Sequence, residues 1–158
     1  MDEETIGANY LETQLDKFVF RVRTGYLYTA EDVWLHPEGA GVRVGLTDYL
    51  QRLSGDVAFC KFAPTGSLLS TGGKLAEIET IKTTLVVPSP LEGQLVTVND
   101  QLTDQPELIN GDPFGDGWLA LLEPSGDLTR LGLLDAEAYF VLMREKLAEE
   151  DRKRRGVQ

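Results

Sequence analysis

The sequence predicts a mainly β protein: a sandwich with approximate two-fold symmetry, a short helix near residues 47–54 and one C-terminal helix. Three observations support this fold class. Short β-prone segments follow one another from residue 18 onward, separated by Gly, Pro, Ser or Asn. A weak internal repeat relates GGKLAEIE (72–79) to DGWLALLE (116–123), and each copy follows a strand that opens with glycine. One segment near the end, LDAEAYFVLMREKLAEEDRKRR, has the length and apolar spacing of a long helix.

The individual elements follow from local patterns. Thr47 is suited to cap the helix DYLQRLS, which Gly55 ends. Asp135 is suited to cap the C-terminal helix, and its apolar contacts come from Leu142, Met143 and Leu147. HPEGAG is a predicted turn, and LTDQPELINGDPFGDG is a predicted long, turn-rich connection. The predicted strands are FVFRVRTGYLY, VRVGL, DVAFCKF, KLAEIETI, TLVVPS, GQLVTVN and WLALLEP.

The 158 residues suit one compact domain. Residues 1–17 are polar with weak periodicity and predict a flexible or loosely docked N-terminal arm. Residues 18–150 form the single predicted domain, including the C-terminal helix, and 151–158 form a charged tail. No apolar run is long enough to span a membrane, and the acidic N-terminus lacks the apolar region of a secretory signal. We therefore expect a cytoplasmic protein.

The net charge of the chain limits the classes of partner that it can bind. The chain carries 15 Lys and Arg against 26 Asp and Glu, for a formal charge of −11. A sequence-independent nucleic-acid binder needs positive charge to displace counterions, so this class is disfavoured. The negative charge favours solubility and docking onto basic surfaces of partner proteins.

Neither the cysteine nor the histidine indicates a catalytic or metal site. Cys60 is alone, which excludes an internal disulfide, and its place in the alternating segment DVAFCKF favours a buried structural thiol. A redox role remains the alternative if the thiol is exposed near Lys82. His36 stands beside Pro37 in the predicted turn, without a set of metal ligands around it. NGDPFGDGW does not have the spacing of an EF-hand loop.

Lys82 is the residue with the clearest functional interest. It lies in a short break between two apolar, β-prone segments, at the predicted turn of a hairpin. A solvated turn lysine is the common reading of such a position. A nucleophilic lysine needs a lowered pKa, whereas the nearby Glu77 and Glu79 favour the charged form. The third reading is covalent modification, because acylation removes the charge and turns an exposed side chain into a flexible tether.

The segment ETIKTTLVVPSPLEG resembles the lipoyl-attachment region of the H protein of the glycine cleavage system. In an ungapped alignment Glu79, Lys82, Pro90 and Gly93 fall on the Glu, modified Lys, Pro and Gly of that family. The resemblance extends in order over residues 28–142 and is much more specific than one short motif. The further matching segments are YTAEDVW (28–34), VGLTDYLQRLSGDVAF (44–59), VNDQLTDQPELINGDPFGDGW (98–118) and LLDAEAY (133–139).

The resemblance implies a hammerhead-like β sandwich of the lipoyl-domain type that carries lipoate in amide linkage on Lys82, with Glu79 as part of the attachment motif. It implies a non-catalytic protein that is a substrate of a lipoate ligase or lipoyl transferase. Its arm then shuttles an intermediate between partner enzymes. In glycine cleavage these are a pyridoxal-phosphate decarboxylase that loads an aminomethyl group, a tetrahydrofolate-dependent transferase and the flavoprotein dihydrolipoamide dehydrogenase.

Several positions depart from the family pattern. Asp32 and Val33 replace the usual His and Glu before Trp34, and Leu85-Val86 replaces the usual Ser-Asp after the lysine. Lys61 replaces a usual Glu. The interpretation is that these changes lie on or near the surface that holds a loaded arm or meets a partner, and leave fewer groups able to bind an amine.

A divergent relative is therefore favoured over a glycine cleavage H protein. The related lipoate-binding proteins of sulfur oxidation work beside a heterodisulfide-reductase-like complex, and the favoured hypothesis is a carrier of that kind. Two other classes stay open. Biotin carriers also modify a hairpin lysine, but usually one between methionines, whereas Lys82 stands between Ile81 and Thr83. An interaction module that keeps the fold but is never lipoylated is the second alternative.

Overall fold

A computed structural model describes residues 5–6 and 9–156. The helices are α1 (Asp48–Ser54), α2 (Gln101–Asp104), α3 (Leu108–Gly111) and α4 (Ala136–Arg154). The strands are β1 (Thr5–Ile6), β2 (Tyr10–Leu15), β3 (Phe18–Arg23), β4 (Leu27–Tyr28), β5 (Val33–Glu38), β6 (Gly41–Leu46), β7 (Val57–Phe62), β8 (Leu68–Leu69), β9 (Lys74–Thr80), β10 (Thr84–Pro88), β11 (Gly93–Val98) and β12 (Ala120–Pro124). Among the described residues no helix is long and apolar enough to cross a membrane.

The strands form three antiparallel sheets. A six-stranded sheet has the order β4-β5-β6-β12-β11-β8, and a three-stranded sheet has the order β10-β9-β7. The third sheet, β1-β2-β3, is built from the N-terminal segment. The two copies of the sequence repeat become β9 and β12, and each is an inner strand of its own sheet. The mainly β architecture with a C-terminal helix is thus confirmed.

Two apolar clusters lie on opposite faces of the six-stranded sheet, because side chains alternate along a strand. Val33 and Leu35 of β5 face the β10-β9-β7 sheet, where they pack with Leu75 and Ile78. Trp34, between them, faces the other way and joins the cluster beneath α4. The sheet is therefore covered on one side by the lysine-bearing hairpin and on the other by the C-terminal helix.

The predicted helix ends are confirmed. The Thr47 hydroxyl accepts a hydrogen bond from the amide of Leu50, and α1 ends at Gly55, whose φ is 90°. The Asp135 carboxylate accepts one from the amide of Ala138 at the start of α4. Met143 and Leu147 are buried beneath α4, and Leu142 is half-buried there.

Three local expectations need correction. Residues 10–15, predicted to be part of a loosely docked arm, form β2, because Leu11, Leu15 and Tyr10 pack against the cluster under α4. His36 lies in β5, paired with Arg43, since the predicted turn tightens to residues 39–40. The turn-rich connection contains the short helices α2 and α3, which Leu102 and Ile109 anchor in the core.

The predicted limits of the segments, 1–17, 18–150 and 151–158, stay a prediction. Residues 151–154 of the charged tail continue α4. Residues 1–4, 7–8 and 157–158 lie outside the described part of the chain.

Candidate functional site

Lys82 lies in the turn of the β9–β10 hairpin, as the sequence predicts. Glu79 pairs with Thr84 across the two strands, and residues 81–83 form the turn between them. The Thr80 amide donates a hydrogen bond of 2.8 Å to the Thr83 carbonyl and closes the turn. Lys82 is exposed at this end of the molecule, so its ε-amine is accessible to another protein.

Thr80 fixes the shape and position of the turn. Its hydroxyl oxygen accepts hydrogen bonds from the backbone amides of Lys82 and Thr83 and donates one of 2.6 Å to the Ser54 carbonyl. The Ile81 amide donates to the Asp56 carbonyl at 3.0 Å. The hairpin tip is thereby fastened to the end of α1. The sequence pattern did not indicate this role for Thr80.

The unmodified Lys82 side chain lies along the end of α1. Its Nζ donates a hydrogen bond of 3.1 Å to the Leu53 carbonyl, one of the orphan acceptors of the last helical turn. A Cβ atom placed on Gly55 would come within 2.9 Å of the Lys82 Cδ. Glycine at this position therefore leaves room for the aliphatic part of the lysine.

The neighbouring acids do not pair with Lys82. Glu77 pairs with Lys74 at 2.6 Å, and this hydrogen bond lowers the pKa of Glu77. Glu79 is exposed and makes no hydrogen bond or ion pair with Lys82. Both acids belong to the outer face of the sheet while the lysine bends toward α1, and an effect of these acids on Lys82 stays a prediction. Glu79 keeps only its place in the sequence motif.

An open groove of about 500 Å³ begins at Lys82. Its apolar lining comes from Leu15, Phe18 and Phe20 of the N-terminal strands and their connection, from Leu53 of α1 and from Leu147 of α4. A volume of this size lies within the ~300–1,000 Å³ of typical small-molecule sites. The groove is large and apolar enough for a flexible acyl group attached to the lysine.

Charged side chains surround the groove. The Arg52 guanidinium lies over the rings of Phe18 and Phe20, 5.7 Å from each centroid. At the other wall Arg154 pairs with Asp16, in the turn between β2 and β3, at 2.7 Å, and also with Asp151. The Asp16–Arg154 pair joins the N-terminal strands to the last turn of α4, so both ends of the chain help to form the groove.

Two departures from the family pattern are not at this surface. Val33 is buried between the sheets. Asp32 is also buried, with φ at 70°, and its carboxylate accepts hydrogen bonds from the Tyr139 hydroxyl at 2.6 Å and from Lys146 Nζ. The interpretation that they face a loaded arm is wrong, because Asp32 anchors α4 and Val33 fills the core.

Two other departures do lie beside the hairpin. Lys61 and Val86 both pair with Glu77, one from each side, so the three residues form one row across the β7–β9–β10 sheet. Lys61 and Val86 are exposed on its outer face. This part of the interpretation agrees with the structure.

Cys60 and His36 lie away from Lys82's groove. Cys60 is half-buried against the core between the sheets, and burial raises the pKa of its thiol to about 11. His36 stacks on Tyr26, with ring centroids 4.3 Å apart. In residues 5–6 and 9–156 no three His, Cys, Asp or Glu side chains are grouped as metal ligands.

Comparison with known proteins agrees with this fold. The family model described as glycine cleavage H-protein matches residues 26–146. The chain belongs to the glycine cleavage H-protein family. A glycine cleavage system H protein of Alteromonas mediterranea is 40% identical over 119 residues, which are 75% of this chain and 92% of that protein. One of Thermus thermophilus is 42% identical over 114 residues, 71% of this chain and 88% of that protein.

A solved structure gives the same result. The crystal structure of a glycine cleavage system H protein from Mycobacterium marinum is similar, with a TM-score of 0.66 and 33% identity. The match covers 75% of this chain and 95% of that one. H proteins of this family are non-catalytic carriers that hold lipoate on a lysine, so the cofactor of this chain is lipoate. Most residues lining the groove, those of β2, β3 and α4 beyond Lys146, lie outside the matched range.

Proposed function

We propose that Lys82 is the lipoyl attachment site and that the chain is a swinging-arm carrier between partner enzymes. The observation that carries this proposal is the position of Lys82: exposed at the turn of a hairpin whose backbone Thr80 holds in place. A fixed attachment point with a mobile distal group is what a carrier requires. When bound, lipoate supplies a dithiolane that can be reduced to two thiols and reoxidised.

The groove supports the same proposal. It starts at the lysine, and Gly55 leaves space for the side chain to enter it. Leu53 and Leu147 can contact the methylenes of a lipoyl group there and exclude water from them. Acylation also removes the Lys82 charge and leaves Nζ with a single amide N–H, which weakens its hydrogen bond to the Leu53 carbonyl and lets the modified side chain leave α1.

Dihydrolipoamide dehydrogenase tests the carrier role. With NADH it should reduce the arm of the lipoylated protein, and the thiols that appear can be counted with a chromogenic disulfide. Lys82→Arg should yield none, while Lys74→Arg, a matched change at the far end of β9, should behave as the wild type. Thiols in the Lys82→Arg protein beyond Cys60 would contradict the assignment.

For the cargo we propose a sulfur-bound group exchanged with a heterodisulfide-reductase-like complex in sulfur oxidation, within the cytoplasm. The supporting observations are the apolar lining of the groove and the cations Arg52 and Lys153 around it; Arg154 is already paired with Asp16 and Asp151. These surroundings suit an uncharged or anionic group. The exposed Lys61 and Val86 replace acids of the family pattern beside the hairpin.

The aminomethyl group of glycine cleavage is the second candidate, and the relatives favour it, since those compared here are named glycine cleavage system H proteins. Glu150, exposed at the groove and without an ion pair to any residue that the structure describes, is a carboxylate that a cationic amine could use. Incubating the lipoylated protein with glycine and a purified glycine decarboxylase separates the candidates. An aminomethyl adduct in the intact mass supports glycine cleavage, and its absence, with adduct formation from a sulfane sulfur donor, supports sulfur transfer.

A further inference from the structure

The outer face of the β10-β9-β7 sheet adjoins Lys82 and is not covered by any other part of the described chain. Its residues form two rows across the three strands, because directly paired residues of an antiparallel ladder share a face. One row is Phe59, Glu79 and Thr84, and the next is Lys61, Glu77 and Val86. We call these six residues, with Ile81 in the adjoining turn, the hairpin face.

The hairpin face has three large apolar side chains in water. Phe59 is 47% exposed, Ile81 74% and Val86 60%. Phe59 and Val86 lie on the two outer strands of the sheet, on either side of Glu77 and Glu79. Single exposed apolar residues are normal on a protein surface, but several on one uncovered face beside a functional group indicate an interaction site. Phe59 has the size and rigidity of the aromatic anchors that dominate binding energy at interfaces.

The charge around this face is mostly negative. Within the described part of the chain Glu79 has no ion pair, and Asp56 is exposed at the base of the hairpin. α2 lies against β7 and adds the exposed Asp104. No Lys or Arg occurs between Lys82 and Arg130. A partner with an apolar hollow and a basic rim would be complementary to this surface.

The short length of the unmodified lysine side chain indicates which class of enzyme must bind the hairpin face. An enzyme that acts on the dithiolane can bind at a distance from the hairpin, because the extended lipoyl-lysine arm spans the gap between them. An enzyme that acylates Lys82 must bring its acyl donor to the ε-amine at the end of four methylenes, and so must cover the tip and the surface next to it. The same enzyme must also displace Nζ from the Leu53 carbonyl.

We propose that the hairpin face is the docking surface for the ATP-dependent ligase that attaches lipoate to Lys82, a proposal that rests on the function assigned above. The ligase forms lipoyl adenylate from lipoate and ATP with release of pyrophosphate. The neutral Lys82 amine attacks the acyl carbon, a C–N bond forms and the C–O bond to AMP breaks. AMP leaves, and the amine proton passes to a base of the ligase or to water.

The test is the rate of lipoylation by a purified ATP-dependent lipoate ligase with lipoate and ATP. The variants Phe59→Ser and Val86→Ser reduce the apolar surface of the hairpin face. Leu68→Ser and Val141→Ser are matched controls, since these residues are 80% and 56% exposed but belong to β8 and α4. Thermal unfolding confirms that each variant is folded.

Each hairpin-face variant should lower kcat/KM by about tenfold, chiefly through a higher KM, because the change weakens docking rather than chemistry. The controls should stay within about twofold of the wild type. Equal rates for all variants, or an equal loss in the controls, would overturn the proposal.

A second readout identifies the partner. Once lipoylated, the same variants should be reduced by dihydrolipoamide dehydrogenase at the wild-type rate. If Phe59→Ser slows that reduction but not lipoylation, the hairpin face binds an enzyme that acts on the dithiolane, and the ligase proposal is wrong. If the ligase does not modify the wild-type protein at Lys82, the proposed carrier function is wrong as well. If the wild type is modified normally and the hairpin-face variants are modified at the same rate, only the proposed docking surface is wrong.

Discussion

The Lys82 ammonium donates a 3.1 Å hydrogen bond to the backbone carbonyl of Leu53, in the last turn of α1. This contact joins the hairpin lysine to a helix 29 positions earlier in the chain and directs the side chain toward the groove. It is a single bond at an exposed site, so it holds the lysine without making the fold depend on it.

Replacing Lys82 should therefore remove modification without unfolding the protein. Lys82→Arg loses at most one exposed hydrogen bond, with an expected change in unfolding free energy below about 1 kcal/mol. Urea unfolding measures the stability, and intact mass after incubation with ligase, lipoate and ATP measures the modification. A large fall in stability would show that Lys82 is a structural residue.

Gly55→Ala tests the space beneath the lysine. The φ of Gly55 is 90°, so a side chain there is strained, and its Cβ would meet the Lys82 Cδ. We expect a loss of about 1–2 kcal/mol in unfolding free energy, together with a changed rate of Lys82 acylation.

Gly66→Ala is the matched control for that change. Gly66 has a φ of 92° and no atom within 4 Å of the added Cβ, so it carries backbone strain alone. It should lose similar stability yet keep the wild-type acylation rate. An identical acylation rate in both variants would mean that Gly55 does not position Lys82.

Asp32 should be one of the most sensitive polar positions. Asp32→Ala removes the acceptor for the buried Tyr139 hydroxyl and the ionic partner of Lys146, with an expected loss of about 2–4 kcal/mol. Asp32→Asn keeps an acceptor and tolerates the positive φ, so its loss should be about half as large. Urea unfolding of both variants measures the difference, and equal losses would contradict the role of Asp32 as the hydrogen-bond acceptor for Tyr139.

Burial of Cys60 makes stability depend on alkaline pH. Because the pKa of the folded thiol is about 11, above the ~8.5 of an exposed cysteine, the folded state holds its proton more tightly. The stability of the wild type relative to Cys60→Ala is therefore constant below about pH 8.5 and falls as the pH rises toward 11. Parallel stability curves for the two proteins between pH 7 and 10.5 would show that the thiol is not buried in solution.

The position of Lys82 in a hairpin turn could be predicted from the sequence because its signals are local. Lys82 lies between two β-prone segments, and the caps Thr47 and Asp135 are read from single residues next to apolar periodicity. These features depend on interactions over a few residues, which local patterns encode.

The groove could not be predicted because it depends on contacts between distant segments. β2 looks polar in sequence, and it becomes a strand only through pairing with β3 and packing under α4. Asp32 looks like a surface acid and is buried because Tyr139 and Lys146, more than a hundred positions later, satisfy its oxygens. The sequence around Asp32 or β2 does not indicate these distant contacts.

The most direct test of the carrier assignment is peptide mass spectrometry of the protein purified from its own host. We expect a lipoyl group in amide linkage on the peptide that contains Lys82, and on no other lysine. An unmodified Lys82, a biotinyl group in its place or lipoate on another residue would contradict it.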